Sequence, residues 1–240
     1  GNAVLGLLMT VLQSVVMTLI MYLMFDMLGL RRLAVRGDFL LYVMSGVFMF
    51  MTHVSVIGAV SRAHGPASPM MMHAPMNPIV AVCGAALAAL YRQTLSAIVI
   101  LFLYDALLQP VSIRDPVGLL GIHLLAWGSG FAIGMVLRSI RPWQPDFASI
   151  LTTVIMRANI IASGKMVLVN TMPPSLRSWF DWNPLFHIID QGRGEVFLNY
   201  TPHYTSVSYA VQVTLALFLI GLMAEFFTRQ HVSASWGKRG

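Results

Sequence analysis

The chain has 240 residues, 57% of them apolar and only 10% charged, with a net charge of +6. Soluble domains carry roughly one-quarter charged residues, so a bilayer rather than water must solvate most of this sequence. The single cysteine, Cys83, excludes an internal disulfide framework or multi-thiolate metal centre. The scattered basic residues form no nucleic-acid-binding stripe and suit loops facing anionic membrane lipid.

A helix needs about 20 mostly apolar residues to cross a ~30 Å hydrocarbon core. The first such window is Val4 to Phe25. It lacks a basic leader and a small-residue cleavage site, which predicts a span rather than a secretory signal. Gly1 stands where a native protein would start with methionine, so a preceding segment is expected. The loop Asp26 to Asp38 leads to a second span, Phe39 to Val60.

Ser61 to Pro78 then reads SRAHGPASPMMMHAPMNP. Its prolines forbid one regular helix and predict a shaped connector. Met70, Met71, Met72, His73 and Met76 could form a soft copper site, a bland connector, or an adaptable apolar contact surface; the last is favoured.

Spans three to six are read at Ile79 to Leu103, Leu119 to Leu137, Ile150 to Val169 and Val207 to Phe227. Continuous apolar runs of this length match helices and not the alternating strands of a barrel. Asn170 to Thr205 is too long and too apolar to float in water. It is expected to form two short helices dipping back into the membrane, started by Pro173 and Pro184, the second ended by Gly192 and Gly194. Thr228 to Gly240 is expected to be a frayed polar tail. The expected fold is therefore an all-α polytopic membrane protein: a single domain over residues 1–240, with six transmembrane helices and a re-entrant helical hairpin before the last span.

Charges inside spans mark cavities or partners, here Arg92, Arg157 and Lys165, with Asp105 near one end. Arg157 and Lys165 suit a pathway for an anionic glycan or lipid phosphate; the bland alternative is snorkelling or pairing within the bundle. Asn183, His187, Asp190 and Arg193 recur at three-to-four spacing, which puts them on one helix face where they can bond one another. His187 and Asp190 could be an acid/base pair, but no nucleophile sits at a recognised elbow. Gly130 and Gly134 predict close helix packing within the bundle. If both ends lie inside, the inner loops hold Arg62, Arg138, Arg141, Arg229, Lys238 and Arg239. The outer loops then hold Arg31, Arg32, Arg36, Arg114, Arg177 and Arg193, a balance that leaves orientation open.

The stretch Ser163 to Tyr200, SGKMVLVNTMPPSLRSWFDWNPLFHIIDQGRGEVFLNY, resembles the end of the membrane subunit of ABC type-two exporters, especially those moving capsular polysaccharide or O-antigen. The likeness is carried by Ser163 and Gly164, Met172 and Pro173, Trp179, Asn183 to His187, Asp190, Arg193 and Phe197. Weaker likeness covers Leu5-Gly6-Leu7-Leu8 and the loop from Pro69 to Pro78.

The resemblance implies a permease subunit in the bacterial inner membrane, working as a homodimer with two ATP-binding cassette subunits and exporting a polysaccharide or glycolipid. ATP and magnesium would be bound by those partners and no cofactor by this chain, which is not itself an enzyme. Gly164-Lys165-Met166 agrees, lacking both the upstream glycine and the following Ser or Thr of a P-loop. Ser68, Pro69, Met70, Met71, Met72 and His73 would belong to a cytoplasmic coupling loop. Trp179, Phe180, Trp182, Asn183, His187, Asp190 and Arg193 would form the outer gate, while Arg157 and Lys165 would line the pathway. The rival readings are an ATP-independent transporter or channel, for which no inverted repeat is seen, and a membrane-bound transferase.

Overall fold

A computed structural model describes residues 3–27, 29, 38–63 and 78–236. Within these it consists of helices α1 (Ala3–Met27), α2 (Phe39–Ser61), α3 (Pro78–Leu107), α4 (Pro116–Ile140), α5 (Pro145–Ala162), α6 (Pro174–Arg177), α7 (Pro184–Val196) and α8 (Val207–Trp236). A short 3-10 turn, Val169–Thr171, precedes α6. Five helices are long and apolar enough to cross a membrane: Val4–Met27, Phe39–Ser61, Ile79–Leu107, Pro116–Ile140 and Val207–His231. The chain is a helical membrane protein.

Local chemistry sets several boundaries. Asp38 caps α2 by accepting from the Leu40 and Leu41 amides, and its other oxygen accepts from the Tyr104 hydroxyl. Asp115 caps α4 in the same way, with Pro116 in the first helical position where no amide is needed. Asn183 and Pro184 repeat the arrangement at α7.

α2 is the axle of the bundle. In its most apolar window 83% of residues are buried, against 17% for α1 and α8, which present their apolar faces outward as lipid-facing helices do. It packs against α1, α3, α4, α5 and α7, while α4 also packs against α7 and α8. α4 comes close because Gly130 rests on the His53 carbonyl and Gly134 on Val60, positions where a methyl would collide. Both glycines thus serve packing within the bundle, as their spacing predicts.

Three expectations need correction. The stretch expected as the fifth span, Ile150 to Val169, holds α5, which starts earlier at Pro145, stops at Ala162 and is not among the five helices long and apolar enough to cross a membrane. Beyond it Gly164 takes φ +63, packed under the Phe186 ring where no Cβ fits, so the helix cannot continue. Thr152, Thr153, Arg157 and Asn159 make α5 more polar than the five apolar helices. Second, Gly192 and Gly194 do not end α7, which runs on to Val196; they are spaces for Met49 and for Pro202. Third, the tail does not fray at Thr228. α8 continues to Trp236, with Thr228 bonded to the Ser139 carbonyl and Arg229 to Glu225.

Candidate functional site

The segment between α5 and α8 is not a surface loop. It carries α7 into the bundle, beside the N-terminal half of α2. The Arg193 guanidinium lies 4.1 Å from the centre of the Tyr42 ring, Gly192 faces Met49, and Lys165 Nζ lies 3.4 Å from the centre of the Phe50 ring. Phe50 is about 17 Å along a helix about 34 Å long, at 1.5 Å per residue. The inserted segment therefore reaches half the depth of α2.

Four side chains of one α7 face hold this insertion. Asn183 Nδ2 donates to Asn159 Oδ1 (2.8 Å) and to the Ala162 carbonyl (2.9 Å), while its Oδ1 caps α7 at the Leu185 amide. His187 Nδ1 accepts from the Ser206 amide at 3.1 Å, which makes Nε2 the protonated nitrogen, donating to the Asp181 carbonyl at 2.8 Å. Asp190 accepts from the Tyr200 hydroxyl on one oxygen and from Thr205 Oγ1 (2.7 Å) on the other. Arg193 donates to the carbonyls of Val167 (2.8 Å), Lys165 and Gly164. All four residues are buried.

The predicted shared face is real, but the predicted bonds among these residues are not. They reach outward to three stretches of chain, so α7 is a hub fastening the end of α5, the 164–167 turn and, through both His187 and Asp190, the 200–206 connection. Burial, followed by the Asp190 carboxylate, pushes the Tyr200 phenol up from its ordinary value, so it stays a proton donor to Asp190.

The remaining predicted gate residues lie outside the hub. Phe180 stacks on Phe186 at 5.9 Å. Trp179 and Trp182 are 75% and 64% exposed, joined by a 2.7 Å bond from Trp182 Nε1 to the Trp179 carbonyl. Such indoles suit the boundary between hydrocarbon and water.

The two predicted pathway cations are not brought together. Arg157 is exposed on α5. Lys165 is buried, and its Nζ has no hydrogen-bond partner among the described residues, only the Phe50 ring. A desolvated cation–π contact contributes about 2 kcal/mol, well short of replacing hydration. Ser68, Pro69, Met70, Met71, Met72 and His73 lie outside the described residues.

Sequence reasoning missed the hub's partners: Asn159, Tyr200, Thr205 and Ser206. It also missed Glu225, which bridges Arg138 (2.6 Å) and Arg229 (3.1 Å) at the opposite end of the bundle. Glu225 was readable as a carboxylate inside the last predicted span, a position that calls for a cation.

α3 and α4 splay apart over α2 and leave an apolar cleft of ≈200 Å³ lined by Leu41, Phe48, Ile98, Leu120 and Val196. Its polar wall is the Thr94–His123 pair, bonded at 3.1 Å. A cleft of this kind fits hydrocarbon and offers no reacting group. Among the described residues, no three His, Cys, Asp or Glu side chains gather as a metal site. No protein-family model matches the chain, and no curated protein matches it.

Proposed function

We propose that this chain is the membrane subunit of an ATP-driven exporter, with the half-inserted, polar-bonded α7 segment as its gate. That insertion is the observation carrying the reading, together with the resemblance of Ser163 to Tyr200 to type-two exporters. In this reading α5 is a sixth span: its 18 residues extend about 27 Å, close to the ~30 Å of a hydrocarbon core. α6 and α7 are then the re-entrant hairpin, and the α7 end faces outward from the bacterial inner membrane.

α2 connects the two working parts. Its C-terminal end at Ser61 leads into the proline-rich segment read as the coupling loop. Its N-terminal half bears Tyr42, Gly46, Met49 and Phe50, all against the hub or Lys165. Closure of two ATP-binding subunits on that loop would move α2 as a rod and shift the surface on which Arg193 and Lys165 rest. Two copies of the chain would enclose the pathway, with Arg157 and Lys165 facing an anionic polysaccharide or glycolipid.

The transferase reading is less favoured by the hub's chemistry. Both nitrogens of His187 and both oxygens of Asp190 are committed to bonds inside the chain, whereas a general acid or base needs an atom facing substrate.

The test is to isolate a P-loop ATPase that co-purifies with the chain and to reconstitute the chain into proteoliposomes with and without it. ATP-dependent movement of a lipid-linked glycan that requires both chains is expected. Vectorial movement by this chain alone would overturn the proposal.

A further inference from the structure

Where α2 ends, the α4–α5 connection folds across it and leaves a polar cavity of ≈80 Å³ lined by Ser61, Arg62, Arg141, Ser149, Thr152 and Thr153, with Ala148 and Met156 behind them. One water needs about 10–15 Å³ of such space, so the cavity has room for a tetrahedral oxyanion and its nearest waters. Among the described residues no carboxylate lines it, although Asp146 stands in the first turn of α5. Glu225 at the same end of the bundle is taken up by Arg138 and Arg229.

Both arginines are placed by local structure. Arg141 Nη1 donates to the Ser61 carbonyl at 3.1 Å, filling one orphan acceptor at the end of α2. A guanidinium has five donors, so this bond uses a fraction of its capacity. Arg62 folds back over Gly58, where a Cβ would stand 2.8 Å from its Nη2. Arg62 is exposed, so its guanidinium is reachable from the cavity mouth. The Thr152 and Thr153 hydroxyls donate to the carbonyls four residues earlier, at 2.7 and 3.0 Å. Ser149, exposed at the rim, keeps its hydroxyl proton for a ligand. The cavity also abuts the first turn of α5, whose cap residue Gln144 makes no side-chain bond to it.

We infer that this cavity binds a phosphate group, gripped by the Arg62 and Arg141 guanidiniums and by Ser149. Paired guanidiniums with a hydroxyl and no competing carboxylate match a tetrahedral oxyanion. The end of a spanning helix is the depth at which lipid headgroups lie, so the phosphate belongs either to a lipid headgroup or to a free anion. The inference does not rest on the exporter reading, because binding requires neither ATP nor a partner.

The experiment is calorimetric titration of the full chain, purified in phosphate-free detergent, with dioctanoyl phosphatidate, inorganic phosphate and phosphate-free dioctanoylglycerol. Saturable one-to-one binding of phosphatidate is expected, with none of dioctanoylglycerol. Arg62→Gln removes an exposed side chain that makes no bond among the described residues, and should weaken binding about tenfold without moving the melting temperature. Arg62→Gln/Arg141→Gln should weaken it about a hundredfold, and Arg62→Lys should recover only part of the single-variant loss. Competition by inorganic phosphate identifies the anion alone as sufficient; phosphatidate binding without such competition identifies a lipid headgroup. Equal binding by parent and Arg62→Gln, equal binding of dioctanoylglycerol, or no binding of either phosphate probe overturns the inference.

Discussion

Replacing Arg193 by methionine tests whether α7 is a fastener or merely a packed helix. The parent side chain is the hydrogen-bond partner of the Lys165 and Val167 carbonyls, and it shares the Gly164 carbonyl with the Val167 amide. Methionine keeps most of the volume and strands the buried Lys165 carbonyl and the part-buried Val167 carbonyl; at about 1–3 kcal/mol each the expected cost is about 2–6 kcal/mol. Thermal unfolding of a chain this size shifts about 2–4 °C per kcal/mol, which predicts a fall of about 4–24 °C in detergent. An ordinary interhelical hydrogen bond in a membrane protein contributes about 0.6 kcal/mol, equivalent to about 1–2 °C. Hydrogen exchange supplies the local readout: the amides of residues 164–168 should lose protection in Arg193→Met before those of α2 and α4. Arg193→Lys, with a compact ammonium in place of the planar fork, should recover only part of the loss. A melting temperature within about 2 °C of the parent, with unchanged exchange at 164–168, would refute the fastener argument.

Gly130→Val places a side chain against the His53 carbonyl and should force α2 from α4, seen as loss of monodisperse protein on size-exclusion chromatography. Gly128→Ala, whose Cβ meets nothing nearer than 3.9 Å, should behave as the parent. Glu225→Gln removes the carboxylate between Arg138 and Arg229 and should cost about 3–5 kcal/mol, measured as a lowered melting temperature. Arg138→Met/Glu225→Met should restore part of it, because only the partly exposed Arg229 then lacks that carboxylate.

The spans were legible because their signal is one-dimensional: an apolar run long enough to cross hydrocarbon announces itself without knowledge of its neighbours. α5 was misplaced because its end depends on a long-range fact, the Phe186 ring lying over Gly164. The hub was half legible. Three-to-four spacing put Asn183, His187, Asp190 and Arg193 on one face. Their partners were hidden because most are backbone groups, at Ala162, Lys165, Val167, Asp181 and Ser206, and a carbonyl or amide leaves no trace in composition.

Lys165 shows where that distinction matters. Its position inside an apolar run announced a charge needing a counterpart, yet the structure gives it only the Phe50 ring. The other members of the hub are bonded within the fold: Asn183 to α5, His187 and Asp190 to the connection to α8, and both terminal nitrogens of Arg193 to the turn that carries Lys165 itself, its Nε alone having no partner among the described residues. The Arg193 bond to the Lys165 carbonyl therefore fixes the backbone of the one residue whose ammonium is left without an acceptor. A buried cation held rigidly beside an aromatic face gains most from an anion that arrives when the segment moves, because the desolvation cost has already been met by the fold. If α7 is the gate proposed above, that arrangement would couple opening to the arrival of negative charge, since what loosens Arg193 from the 164–167 turn would also release Lys165 toward it.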